Sequence, residues 1–128
     1  MRKILFVTAA ILGLGLSGAY AQSAQPPKVG QSSLGAILVT ANGMTLYTYT
    51  RDMTGFSNCN NQCAVAWPPL LASADAKGSG DWSVITRDDG KKQWAYKGAA
   101  LYTWPKDVQP GDTTGENADR GKWHVAKP

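Results

Sequence analysis

Cys59 and Cys63 are the only cysteines of this 128-residue chain, and His124 is its only histidine. These three side chains bound the chemistry the sequence could support. An even cysteine count in an exported protein favours a disulfide. Bridging needs Cα atoms within about 7 Å, whereas four residues of extended strand span about 13 Å, so this stretch must turn. Two soft thiolates and an imidazole also suit copper, with Met44 or Met53 able to add a thioether. A structural bridge is the leading reading; a copper-binding or thiol-redox protein using Cys59, Cys63 and His124 is the alternative.

Other chemistry is poorly supplied. No G-x-S-x-G, H-E-x-x-H or G-x-x-x-x-G-K-[ST] phosphate loop occurs, and any His-dependent base would have to be His124. Asp88 and Asp89 are adjacent, so on a strand they would point apart, and Gly90 after them marks a turn. Asp107, Asp112, Glu116, Asn117 and Asp119 are hard oxygen donors of the kind calcium takes, at spacings that match no EF-hand. The expectation is therefore a protein with no catalytic residues, no enzyme activity and no cofactor, copper being the alternative.

The pattern that most needs explaining is a repeat. "LYTYTRD" begins at Leu46, and "LYTWPKD" begins fifty-five positions later, at Leu101. The register aligns Gly43 with Gly98, Tyr47 with Tyr102, Tyr49 with Trp104 and Asp52 with Asp107 without a gap. Self-similarity at fixed offset means one supersecondary unit used twice. On a strand, residues two apart share a face. Tyr47 then lies beside Tyr49, and Tyr102 beside Trp104, with the leucines and threonines behind. Asp52 and Asp107 fall just past the strands, where a carboxylate can accept loop N–H groups or a tyrosine hydroxyl.

The elements that must hold these residues read as strands. Asn42-Gly43 between two β-rich runs is a hairpin signal, giving strands at about 35–41 and 44–50. "WSVITR", "KQWAY" and "AALYTW" read as three strands joined at Asp88-Asp89-Gly90 and Lys97-Gly98, and "KWHVA" closes the chain. One helical turn near 63–67 would stop at Pro68-Pro69. The expected fold is all-β: a small sandwich or barrel of about six strands, built from two aromatic hairpin units covering about 35–70 and 82–126.

The twice-written Y-x-[FWY]-x-x-D phrase, together with "CNNQCAVAWPPL" from Cys59 and the closing "GKWHV", resembles a family of bacterial secreted repeat proteins and predicted lipoproteins named for that motif. The similarity runs from roughly Gly35 to the end. Family members often carry a lipobox cysteine, which this chain lacks, so membrane attachment is not carried over. A glycine is common between the two cysteines, where this chain has Asn60-Asn61-Gln62. The resemblance implies an exported protein of unassigned role.

The N-terminus agrees with export: Arg2 and Lys3, an apolar run from Ile4 to Leu16, then Ala19-Tyr20-Ala21 describe a secretory signal cut after Ala21. The run falls short of the roughly 20 residues a membrane span needs, so the product is expected to be soluble, in the periplasm or outside the cell. Residues 22–34 read as a flexible lead-in and 35–128 as one domain, which buries about 65 % of its unfolded surface. Arg2 and Lys3 account for two of thirteen basic residues, leaving eleven against nine acidic ones. With no basic run longer than Lys91-Lys92, nucleic acid is a poor partner. What remains is a noncatalytic exported domain that binds an unknown envelope protein or a small ligand, of unknown oligomeric state.

Overall fold

A computed structural model describes residues 22–128; the expected signal and its cut after Ala21 lie outside the described residues. The described residues are all-β with two short helices: β1 (Lys28–Ser32), β2 (Gly35–Val39), β3 (Tyr47–Tyr49), α1 (Gln62–Ala66), β4 (Trp82–Thr86), β5 (Lys92–Tyr96), β6 (Ala99–Ala100), α2 (Ala118–Gly121) and β7 (Trp123–Val125). α2 is barely helical, because Asn117, Asp119 and Arg120 all hold positive φ.

Strand pairing shows the repeat directly. β1 and β2 form an antiparallel hairpin that pairs Val29 with Leu38. β4 and β5 form the matching hairpin, pairing Val84 with Trp94, and β6 extends it. The same offset of about fifty-five relates one hairpin to the other. β1 lies inside the stretch expected to be a flexible lead-in, and this is a correction. Its residues are mostly polar or small and exposed, so the strand carries little hydrophobic signal; it is held by backbone pairing to the apolar β2. The Asn42-Gly43 turn forms, with Gly43 at φ 90 and Thr40 N–H on the Met44 carbonyl at 2.8 Å. Beyond the turn the runs it joins barely pair with each other: Val39 stands opposite Thr45, and Leu46 N–H reaches the Leu38 carbonyl.

Instead, each motif strand crosses into the other repeat. β3 pairs with β7, Tyr47 opposite Val125 and Tyr49 opposite Trp123. The second motif strand lies against the first repeat's Pro68–Leu70: Tyr102 is opposite Pro69, and Leu70 N–H reaches the Leu101 carbonyl at 2.9 Å. Prolines at 68 and 69 have no N–H to give, so this arm stays a bridge where its counterpart β7 is a strand.

Strand alternation sorts the interior into two clusters. Ile37, Val39, Tyr47, Tyr102, Ala95, Trp67 and Trp123 share one. Leu38, Leu46, Trp94 and Leu101 share the other, behind it. Rings supply the bulk of the core, and the largest fully buried side chains are Trp94, Trp123, Tyr47 and Tyr102.

Candidate functional site

Tyr47 and Tyr102 sit across a local pseudo-two-fold axis. The amide of each donates to the carbonyl of the other, at 2.8 and 2.9 Å, and both are fully buried. Their side chains then exchange partners. The Tyr47 hydroxyl donates to Oδ2 of Asp107 at 2.6 Å, and the Tyr102 hydroxyl donates to Oδ2 of Asp52 at 2.7 Å. Each tyrosine thus takes the aspartate of the opposite repeat. The second oxygen of each carboxylate organises its own loop. Oδ1 of Asp52 accepts the Asn58 amide, and Oδ1 of Asp107 accepts the amide and hydroxyl of Thr114.

The third motif position completes the symmetry. Tyr49, Trp123, Trp67 and Trp104 form one continuous stack with successive centroid separations of 4.3, 3.9 and 4.0 Å. The two middle rings are almost parallel, 5° apart. Tyr47 meets Trp67 edge-on at 5.3 Å, and Tyr102 meets Trp123 edge-on at 5.0 Å. Gly115 lies so close that a Cβ there would stand 2.8 Å from the Trp67 ring and 2.9 Å from Tyr47. Any larger residue would push the stack apart.

Burial pushes both phenols well above the ordinary tyrosine range, and the neighbouring carboxylates add to the shift. Burial also raises the Asp52 carboxyl, against the opposing hydrogen bonds from Asn58 and Tyr102. Behind Tyr102 lies a buried polar chain that sequence reading did not single out. Arg87, only 4 % exposed, donates to Ser57 Oγ and Gln93 Oε1 at 3.1 and 2.8 Å and to the Cys59 carbonyl at 2.6 Å. Ser57 Oγ lies 2.6 Å from the Tyr102 hydroxyl. With Tyr102 donating to Asp52, Ser57 donates to Tyr102. Strand alternation carried a signal for Gln93, which falls on the same inward face as Ala95.

Cys59 and Cys63 are joined in a disulfide with Cα atoms 5.1 Å apart. Asn61, in the left-handed region at φ 55, makes the turn that brings them together. α1 follows, and its last turn, Trp67 N–H on the Cys63 carbonyl at 2.8 Å, sets Trp67 into the stack. The alternative copper set is not assembled. The sulfurs are bonded to each other, and His124 Nδ1 lies 2.8 Å from Glu116 Oε1. Among the described residues no three His, Cys, Asp or Glu side chains converge as a metal would require. The calcium candidates are likewise dispersed: Asp112 accepts the Val108 and Gln109 amides, Glu116 holds His124 and Val125, and Asp119 faces Lys122. Asp88 and Asp89 occupy a turn, where Asp89 accepts the Lys91 amide.

One cleft of about 630 Å³ opens beside the stack. Its walls include Met44, Pro68, Pro69, Leu71, Trp104 and Pro105, and the segment from Gln22 to Pro27 closes one side. Ser23 ties that segment down, donating its amide to the Leu71 carbonyl and accepting from the Ser73 amide and Trp94 Nε1.

Hairpin, crossing motif strand and tryptophan-bearing arm, each present twice, define an interlocked two-repeat β-domain. The family model of a secreted repeat of unknown function matches residues 28–71 and 83–127, and the chain belongs to that family. Membership implies an exported protein, and no helix among the described residues is long and apolar enough to cross a membrane. Neither the curated proteins nor the solved structures contain a match.

Proposed function

We propose that this is a noncatalytic domain of the periplasm or cell exterior that binds a small, uncharged, partly apolar ligand in the cleft. The observation that carries the reading is that the cleft lies where the two repeats differ. Pro68, Pro69, Trp104 and Pro105 line it, while the corresponding positions of the other copy are His124, Val125, Tyr49 and Thr50. A scaffold that is otherwise doubled has one specialised surface. Its volume falls in the roughly 300–1,000 Å³ range of small-molecule sites, which are mostly apolar with a few polar groups.

Charge supports the ligand class. No Lys or Arg lines the cleft, and its single carboxylate, Asp107, has both oxygens engaged by Tyr47 and Thr114. A noncatalytic role is supported by the same accounting, since His124 is held by Glu116 and both motif aspartates are committed to tyrosines. A thermal-shift screen of neutral small molecules tests the reading, because a ligand that binds the native state raises the melting temperature. A specific stabiliser is expected, lost in Ala41→Arg, which places a bulky charge at the cleft wall. A flat screen, or stabilisers bound equally well by Ala41→Arg, contradicts it.

A further inference from the structure

The ring stack is close and nearly flat. Aromatic pairs in proteins favour offset or edge-on arrangements with centroids roughly 4.5 to 7 Å apart. Here three successive contacts lie at 4.3, 3.9 and 4.0 Å with interplanar angles of 16°, 5° and 22°. The inner rings are buried, and the end rings, Tyr49 and Trp104, are half-exposed. Each inner indole also meets, edge-on, a phenol whose hydroxyl already donates to a carboxylate. Overlapping indoles and phenols with a proton acceptor in place are what one-electron transfer needs. We infer that the stack Tyr49–Trp123–Trp67–Trp104, with the Tyr102–Asp52 and Tyr47–Asp107 pairs, is a one-electron relay running from the cleft wall through the domain, serving an outer-sphere metal-complex oxidant.

The oxidised complex takes one electron from the Trp104 indole, is itself reduced, and leaves an indole radical cation. Lys106 Nζ, 5.5 Å from the Trp104 ring centre, disfavours positive charge there, so Trp67 supplies an electron and the hole moves inward. The parallel Trp67–Trp123 pair spreads it over two rings. Tyr102 then returns an electron to Trp123, and its phenol proton passes to Oδ2 of Asp52, 2.7 Å away. The products are a neutral tyrosyl radical and a neutral carboxylic acid. Burial, which already raises the Asp52 carboxyl, favours that protonated form. Tyr47 and Asp107 offer the same step beside Trp67. A reduced complex of the same class closes the cycle by returning an electron, and the aspartate returns the proton.

Flash oxidation of the purified protein by photogenerated ruthenium(III) tris-bipyridine, followed by transient absorption and electron paramagnetic resonance, tests the relay. A tryptophan radical should appear first and decay into a tyrosyl radical, the second step slowing in D2O. The Tyr47→Phe/Tyr102→Phe double variant should lose the tyrosyl signal and keep the tryptophan radical, and Trp104→Phe should slow the first step. A tyrosyl signal undiminished in the double variant would show that the carboxylate-paired phenols do not receive the hole and would overturn the relay as drawn. If circular dichroism shows the double variant unfolded, Trp104→Phe decides alone: an unchanged rate of oxidation overturns the inference.

Discussion

A phenol buried beside a carboxylate is stabilising only if the hydrogen bond between them offsets the loss of water around both. Tyr47 with Asp107, and Tyr102 with Asp52, have short bonds and every remaining carboxylate oxygen engaged; for Asp52 the offset is partial, because burial still leaves its carboxyl raised. A hydrogen bond to a charged acceptor contributes about 1.5 to 3 kcal/mol, which gives a structural reason for writing the aspartate twice. Glu116 and Asp52 have opposite linkage to pH. Burial raises the Glu116 carboxyl, but the Val125 amide and the His124 ring outweigh it and leave the value below the ordinary 4.5. Glu116 therefore contributes stability that is present above 4.5 and lost as pH falls through the lowered value. For Asp52 the shift is upward from 3.8, so its contribution is lost as pH rises through the raised value. Urea denaturation of Glu116→Gln across the acid range should show a weaker gain in stability with rising pH than the parent chain. Parallel pH profiles would remove Glu116 from the account.

At the scale of elements, the disulfide closes a small loop, and its value is local. Removing it with Cys59→Ser/Cys63→Ser should cost about 2 kcal/mol by the loop-entropy relation. The expected result is a folded protein with a lowered melting temperature and altered tryptophan fluorescence, since α1 no longer fixes Trp67. Complete unfolding would show that the loop does more than position one ring. Much of this level was legible in the sequence. The doubled aromatic phrase, the Asn-Gly turn, the β4–β5–β6 meander and the closing strand all follow from alternation and turn residues, which act over a few positions. β1 was not legible, because "KVGQS" has neither alternation nor bulk and is a strand only through its pairing with β2. Nor was the crossing of the motif strands. The sequence places Tyr47 five residues from Asp52 and sixty from Asp107, and nothing local tells which carboxylate the hydroxyl will reach. Arg87 was hidden for a related reason: a charged residue at a strand end reads as solvated until the Ser57–Cys59 loop folds over it.

For the whole molecule, the exchange of partners means that neither repeat is a complete body. Each motif strand is hydrogen-bonded into the other copy, each tyrosine is capped by the other copy's aspartate, and the two arm tryptophans stack at the centre. Such interlocking provides a doubled frame, while the proline-lined arm and Trp104 give one side its cleft. Residues that act through direct contact couple energetically, and separated ones add. The decisive measurement is therefore a set of double-mutant cycles by chemical denaturation, pairing Tyr47→Phe first with Asp107→Asn and then with Asp52→Asn. The interlocked arrangement predicts a coupling of about 1 kcal/mol or more for Tyr47 with Asp107 and near-additivity for Tyr47 with Asp52, its neighbour in sequence. Additivity across the repeats, or strong coupling within one, would contradict it.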